Sequence, residues 1–328
     1  MKQPLVLGLM LLALLLSAVL SLTIGTASLT IAEVWQALLG SQQNPLASTI
    51  VWQVRLPRLL CAMLVGAGLA IAGAVLQNAS RNPLADPYLF GLMAGAGLGA
   101  SIASILLPPH VLSLALAAFL GALFAVALVF LVCMGRQWRK IEMTLLAGVA
   151  VSFMLSAISS FILYFAEPFA ANKVIFWLMG SLSRTDWGSV GLIAPAVSVL
   201  LLVALMLRRQ LDALLLSDES AQTLGVNPTR LRVILLLLTA LVTACIVAQC
   251  GGIAFVGLMI PHLVRYFVGV TAIPLLLGCT VFGALFLVWI DNLARSALLS
   301  QEIPLGIITS VLGSLFFLVI MRQRRSTA

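Results

Sequence analysis

The chain has 328 residues, of which 62% are hydrophobic and 9% charged. Soluble domains carry about 25% charged residues, so this chain lacks the polar surface to face water and the soluble class is excluded. Lys and Arg (18) outnumber Asp and Glu (10), but they cluster at the ends of apolar runs, the pattern of membrane topology rather than of nucleic-acid binding.

Ten apolar runs follow one another, at about 4–24, 57–78, 89–107, 111–134, 143–166, 189–207, 231–249, 253–268, 272–294 and 304–321. Runs near 20 residues are long enough to cross a bilayer. Backbone polar groups in lipid must bond internally, so each run is expected to be a helix. The first follows a single Lys, exceeds a signal-peptide core and has no clear cleavage site, so it is expected to be a retained span. The eighth is short and marked by Gly and Pro.

Ten spans put both termini on one side. Taking that side as cytoplasmic gives it 13 basic residues: Lys2, Arg81, Arg136, Arg139, Lys140, Arg208, Arg209, Arg230, Arg232, Arg265, Arg322, Arg324 and Arg325. The opposite side holds 5: Arg55, Arg58, Lys173, Arg184 and Arg295. The bias follows the positive-inside rule. The two longest outer segments, about 25–56 and 167–188, carry Trp35, Trp52, Trp177 and Trp187, as interface-lying segments do. No extramembrane domain is expected, and residues 1–328 read as one transmembrane domain.

Chemistry is sparse. The five cysteines are odd in number, mostly inside apolar runs and without zinc or redox spacing, so they read as small core residues. GAGLGA (95–100) lacks a preceding strand and does not complete a dinucleotide fingerprint, so helix packing explains it, with a pathway-lining backbone as the alternative. No phosphate-binding loop and no H-E-x-x-H occurs, and the two histidines, His110 and His262, stand far apart. No catalytic residue, metal site or cofactor is expected.

Five stretches stand out. VWQVRLPR (51–58) places Arg55 and Arg58 at the outer mouth of the second run, either as headgroup anchors or as a docking surface for an acidic partner; Arg295 is a third candidate. NPLADP (82–87) is either a plain turn or a structured cytoplasmic constriction. GGIAFVGLMIPHLVRYFVG (251–269) holds His262, either an interface histidine or a relay. Asp291, inside the ninth run, is an intramembrane acid with Arg295 four residues on, so a local ion pair is expected.

The fifth, LLLSDESAQTLGVNPTRLR (214–232), is the longest polar island. Ser217 fits an N-cap, with Asp218 and Glu219 in the first turn where the helix dipole favours acids. Gly225 fits a helix stop. Asn227 then caps a second helix with Pro228 at its first position. The spacing predicts helix, glycine turn, helix on the cytoplasmic face, either as an amphipathic hairpin or as an element that inserts into a partner.

SDESAQTLGVNPTRLR resembles the cytoplasmic coupling segment of the FecCD and cobalamin-type permeases of bacterial ABC importers. RLPR, NPLADP, FWLMGSLS, GGIAFVGLMIPHLVR, DNLAR and EIPLGIITSVLGSLFF occur here in that family's order, and the resemblance spans about Ser21 to Arg325. It implies an all-α, ten-span permease of the type II importer class in a bacterial inner membrane. Two copies would form the pathway, two separate ATPases would bind below and a periplasmic binding protein would dock above. ATP hydrolysis would belong to the ATPase, so the chain itself is not expected to be an enzyme. The segment 214–230 would be the coupling element. Within it Ser217, Asp218, Glu219, Ser220, Ala221, Leu224, Gly225 and Val226 would meet the ATPase. Arg55, Arg58 and Arg295 would pair with carboxylates of the binding protein. Asn82 and Leu84 would belong to a cytoplasmic gate, and the fifth and tenth spans would line the path. The family's second gate element is Ser/Thr-rich, whereas the matching loop here reads RQWRKIEMT (136–144). The implied cargo is a ferric chelate, with a siderophore favoured over haem or cobalamin. The rival from another class is an ion-coupled secondary transporter, which needs ionisable groups near the bilayer midplane.

Overall fold

A computed structural model describes residues 3–25, 29–40, 44–106, 111–133, 141–298 and 301–325. His110 and the first part of the RQWRKIEMT loop (136–140) lie outside them. All regular structure among the described residues is helical. The elements are α1 (Gln3–Thr23), α2 (Ile31–Leu38), α3 (Pro45–Thr49), a π-helical turn (Ile50–Arg55) and α4 (Leu56–Ser80). A 3₁₀ turn (Pro87–Phe90), α5 (Leu92–Leu106), α6 (Val111–Val132), α7 (Ile141–Tyr164) and α8 (Pro168–Leu178) follow. Then come α9 (Trp187–Met206), α10 (Arg208–Leu214), α11 (Asp218–Thr223) and α12 (Pro228–Cys250). The chain ends with α13 (Val256–Val268), α14 (Ala272–Ser296) and α15 (Leu305–Arg325).

Eight of the described helical stretches are long and apolar enough to cross a membrane, and two shorter apolar helices, Leu92–Ser104 and Val256–Val268, make up the rest. These ten coincide with the ten apolar runs. The second departs most from its expected bounds: helix begins at Pro45 and runs through the π turn to Ser80. Asn44 starts it, its side chain accepting from the Ala47 N–H, with Pro45 at the first position.

Contacts group the chain into two compact units. The first comprises residues 1–71, 181–198 and 253–328. There α4 and α14 touch backbone to backbone. A Cβ on Gly66 would lie 2.1 Å from the Gly283 carbonyl oxygen, and one on Gly283 would lie 2.4 Å from the Gly66 oxygen. The second unit comprises residues 72–180 and 199–252. Its core is an alanine-rich seam in which Ala96 and Ala100 of α5 and Ala118, Ala122 and Ala125 of α6 are buried. A Cβ on Gly95 would meet the Gly121 oxygen at 2.2 Å, and one on Gly99 the Ala117 oxygen at 2.0 Å. Lipid supplies no hydrophobic drive between helices, so close backbone approach through small residues is what holds such pairs. Helix packing is therefore what GAGLGA encodes.

Candidate functional site

The island between α10 and α12 folds as its local chemistry dictates. Ser217 has extended backbone and its Oγ accepts from the Ser220 N–H at 3.1 Å, capping α11. Asp218 and Glu219 occupy the first turn. The helix ends in a paired lock: the Gly225 N–H donates to Gln222 O at 2.9 Å and the Val226 N–H to Ala221 O at 3.0 Å. Gly225 holds φ +78°, a left-handed conformation that glycine adopts without a Cβ clash. Asn227 then accepts from the Arg230 N–H at 3.0 Å and Pro228 opens α12. Ala221 is buried and anchors this small helix, whereas Glu219 and Ser220 are exposed and Leu224 is 63% exposed.

Asp218 does more than complement the helix dipole. Arg232 grips its carboxylate with two N–H groups, both at 2.8 Å, and Arg81 donates to the same carboxylate. The Arg232 hydrogen bonds hold the Asp218 carboxyl below the usual carboxylate range. Arg232 also donates from Nε to Ala79 O at 2.7 Å, and Arg81 to Leu216 O at 2.7 Å.

The stretch 82–87 is built, not slack. The Asn82 side chain accepts from the Leu84 N–H at 2.9 Å, closing a local turn that leaves Leu84 53% exposed. Asp86 starts the 3₁₀ turn by accepting from the Tyr88 N–H at 2.8 Å. Its other carboxylate oxygen is buried without a hydrogen-bond partner. Burial raises this carboxyl to about 6.

In the first unit the three expected docking arginines, Arg55 and Arg58 buried and Arg295 partly so, are engaged by the chain itself. The Arg58 guanidinium contacts Asp291 through Nη2 at 2.8 Å and Nε at 3.1 Å, and grips both oxygens of Glu302 at 2.8 Å. Arg295 pairs with Asp291 at 3.1 Å and donates to Ile24 O and to the Ser21 hydroxyl. Arg55, carried on the π turn, donates to Leu22 O. The expected Asp291–Arg295 pair is present, with Arg58 as a further partner of Asp291. Meeting another protein's carboxylates would require these arginines to exchange partners. His262 sits edge-on to Phe316 on α15, ring centres 5.7 Å apart.

A cleft opens along α7, the fifth apolar run. Ser156, Ser159, Ser160 and Tyr164 line it with Met93 and Gly97 of α5, and none of its lining residues is charged. Four pairings escape the sequence: Asp218 with Arg81 and with Arg232, and Arg58 with Asp291 and with Glu302. Arg81 carries no signal of this in the sequence; its left-handed backbone, φ +50° directly after a helix end where glycine is the usual residue, shows only in the structure.

The model of the FecCD transport family matches residues 12–323. This chain belongs to the FecCD transport family. The cobalamin import system permease protein BtuC of Halobacterium salinarum is 39% identical over 302 residues, 90% of this chain and 81% of that one. The hemin transport system permease protein HmuU of Yersinia pestis is 35% identical over 331 residues, 98% and 97% of the two chains. The Fe(3+)-citrate import system permease protein YfmD of Bacillus subtilis is 34% identical, covering 94% and 91%. A solved structure described as a metal-chelate type ABC transporter, in an inward-facing conformation, superposes with TM-score 0.87 at 34% identity and covers 98% of this FecCD chain.

Proposed function

We propose that this FecCD permease carries a ferric chelate into the cytoplasm of a bacterium, as a homodimer in the inner membrane with both termini cytoplasmic. Two ATPase subunits bind its cytoplasmic face and a periplasmic binding protein delivers the cargo. The observation that carries the reading is α11. A helix of only six residues, capped at its start and locked at Gly225, presents Leu224 and Glu219 to solvent. A rigid peg of this kind passes on the movement of a partner, which a slack loop would not. ATP-driven closure of the partner shifts the permease between two openings, because the partner binds the two states with different affinity.

Ser217, Asp218, Glu219, Ser220, Ala221, Leu224, Gly225 and Val226 form the ATPase joint, with Ala221 and Asp218 holding it in place and Leu224 and Glu219 making contact. Asn82 and Leu84 belong to the cytoplasmic gate. Arg55, Arg58 and Arg295 shape the outer mouth, and docking of the binding protein proceeds by exchange with Asp291 and Glu302. The uncharged, hydroxyl-bearing cleft along α7 supports a pathway that passes a chelate without gripping it. The named cargoes of the relatives, Fe(3+)-citrate, haemin and cobalamin, support a bulky chelate; a ferric siderophore is the favoured member. An ion-coupled mechanism gains nothing from Asp291, which two arginines already neutralise.

The test is uptake by cells that lack other chelate importers and carry this chain with its ATPase and binding protein. A ferric hydroxamate, ferric citrate, haemin and cyanocobalamin are offered in turn. ATP-dependent uptake of an iron chelate is expected, and it is lost with Leu224→Glu. Uptake that survives ATP depletion and is abolished by a protonophore would overturn the reading.

A further inference from the structure

The end of α4 closes with the same hydrogen-bonded lock as α11. The Arg81 N–H donates to Asn78 O at 3.3 Å and the Asn82 N–H to Gln77 O at 3.2 Å. In α11 the left-handed position of that lock is Gly225, at φ +78°; in α4 it is Arg81, at φ +50°. An L side chain is disfavoured there, so arginine at this position answers to what its side chain does. Its guanidinium bonds Leu216 O and Asp218, the two residues flanking the N-cap of α11. The next residue along the chain, Asn82, closes the turn of the gate segment onto Leu84. Arg232, one turn into α12, completes the set by holding Asp218 and Ala79 O together.

We propose that Asp218, gripped by Arg81 and Arg232, is a clamp through which displacement of α11 is passed to residues 82–87, with Arg81 as the positioning residue for the gate. This rests on the importer reading above. The geometry suits transmission. Charge-assisted, two-pronged guanidinium–carboxylate contacts are directional as well as strong. Arg81 and Asp218 are each more than a third exposed, so the joint lies at a surface where the elements have room to move. The clamp joins α11 to the end of α4 and the start of α12 through five hydrogen-bonded groups, the side chains of Arg81, Arg232 and Asp218 and the carbonyls of Leu216 and Ala79, and Arg81 is the member whose backbone runs directly into the gate segment.

The test needs no knowledge of the cargo. The full chain carrying Leu84→Cys is purified with its ATPase partner in lipid nanodiscs. Modification of that cysteine by a bulky charged maleimide is timed with and without ATP and vanadate, which arrests ATPases in mid-cycle. Four native cysteines are buried and Cys245 is partly buried, so the parent chain without the new cysteine provides the background. Trapping is expected to change the modification rate about fivefold or more, the low end of ordinary coupling between sites. In Arg81→Gly, a change the left-handed backbone favours, trapping is retained and the rate change falls below about twofold. Asp218→Asn likewise brings the rate change below about twofold, and the double variant lowers it no further than either single one, as members of one linkage require. Arg81→Lys, which keeps the charge but not the fork, restores part of the response. A full rate change in Arg81→Gly would overturn the clamp. So would loss of trapping in that variant, which would make Arg81 an assembly residue, or a parent complex that traps without any rate change. A parent complex that hydrolyses no ATP overturns the importer reading itself and the clamp with it.

Discussion

Two arginine–carboxylate assemblies in this chain use the same chemistry to opposite ends. In the first unit, Arg58 and Arg295 converge on Asp291, whose side chain is 1% exposed, with Glu302 as a fourth member. In the second, Arg81 and Arg232 converge on Asp218, whose side chain is 39% exposed. The buried set is a knot. Arg58, Arg295 and Asp291 have lost nearly all their water and rely on one another, while Glu302, 34% exposed, closes the set from its edge. In the second set Arg81 and Asp218 keep water as an alternative partner and can part and rejoin at little cost, while Arg232, 11% exposed, stays as the fixed member. Burial decides which cluster holds the fold and which can transmit movement.

The sharpest way to break this comparison is to remove the central acid of each. Asp291→Ala strips Arg295 of its carboxylate and leaves Arg58 with Glu302 alone, and is expected to destabilise the chain by about 3 kcal/mol, a fall in Tm on the order of 10 °C. Thermal unfolding of the purified protein in detergent checks it. A loss as small as that of an exposed pair would erase the distinction.

Asp86 offers a contrast inside the second unit, a buried acid whose outer oxygen has no partner. Its folded pKa is raised to about 6 by burial. Its neutral form is therefore favoured, and the stability it contributes is present below its unfolded pKa near 3.8 and lost as pH rises through about 6. Asp86→Asn keeps the acceptor for the Tyr88 N–H and carries no charge. It is expected to be the more stable protein by about 3 kcal/mol above pH 7, and to match the parent below about pH 4. Unfolding curves at the two pH values decide it.

Gly225→Ala forces a Cβ onto a left-handed residue, where nothing crowds it within 4 Å. The expected cost is about 1 kcal/mol, confined to α11, with loosened ATPase binding as the larger consequence. Asp218→Asn is the smallest in stability, within about 1 kcal/mol of the parent. The Asp218 carboxyl is held low, so its contribution is present above its unfolded pKa and lost only as pH falls through the lowered value. A variant that unfolds as readily as Asp291→Ala would show that this cluster, too, is a knot.

What was legible in the sequence was local. The ten apolar runs announce the spans because lipid demands apolar helices. Ser217, Gly225, Asn227 and Pro228 announce the α11 hairpin because caps and stops are read within a few residues. The Asp291–Arg295 pair lies one helical turn apart and was equally plain. The illegible part was distant. Arg81 meets Asp218 across 137 positions and Arg58 meets Glu302 across 244, separations that no periodicity encodes. The arginines at 55, 58 and 295 were visible as cations, but their engagement with the chain's own acids and carbonyls was not. The π turn before α4 also went unforeseen, since Ile50–Arg55 carries no composition that separates it from α-helix.

The proposed joint between α11 and an ATP-hydrolysing partner is tested most directly by ATP hydrolysis that co-purifies with the tagged full chain from its own membrane, for the parent and for Leu224→Glu. A bound ATPase with vanadate-sensitive hydrolysis is expected in the parent, and its loss when the exposed leucine becomes a charge. A parent chain that brings down no ATPase, or a Leu224→Glu chain that retains one at full activity, would contradict it.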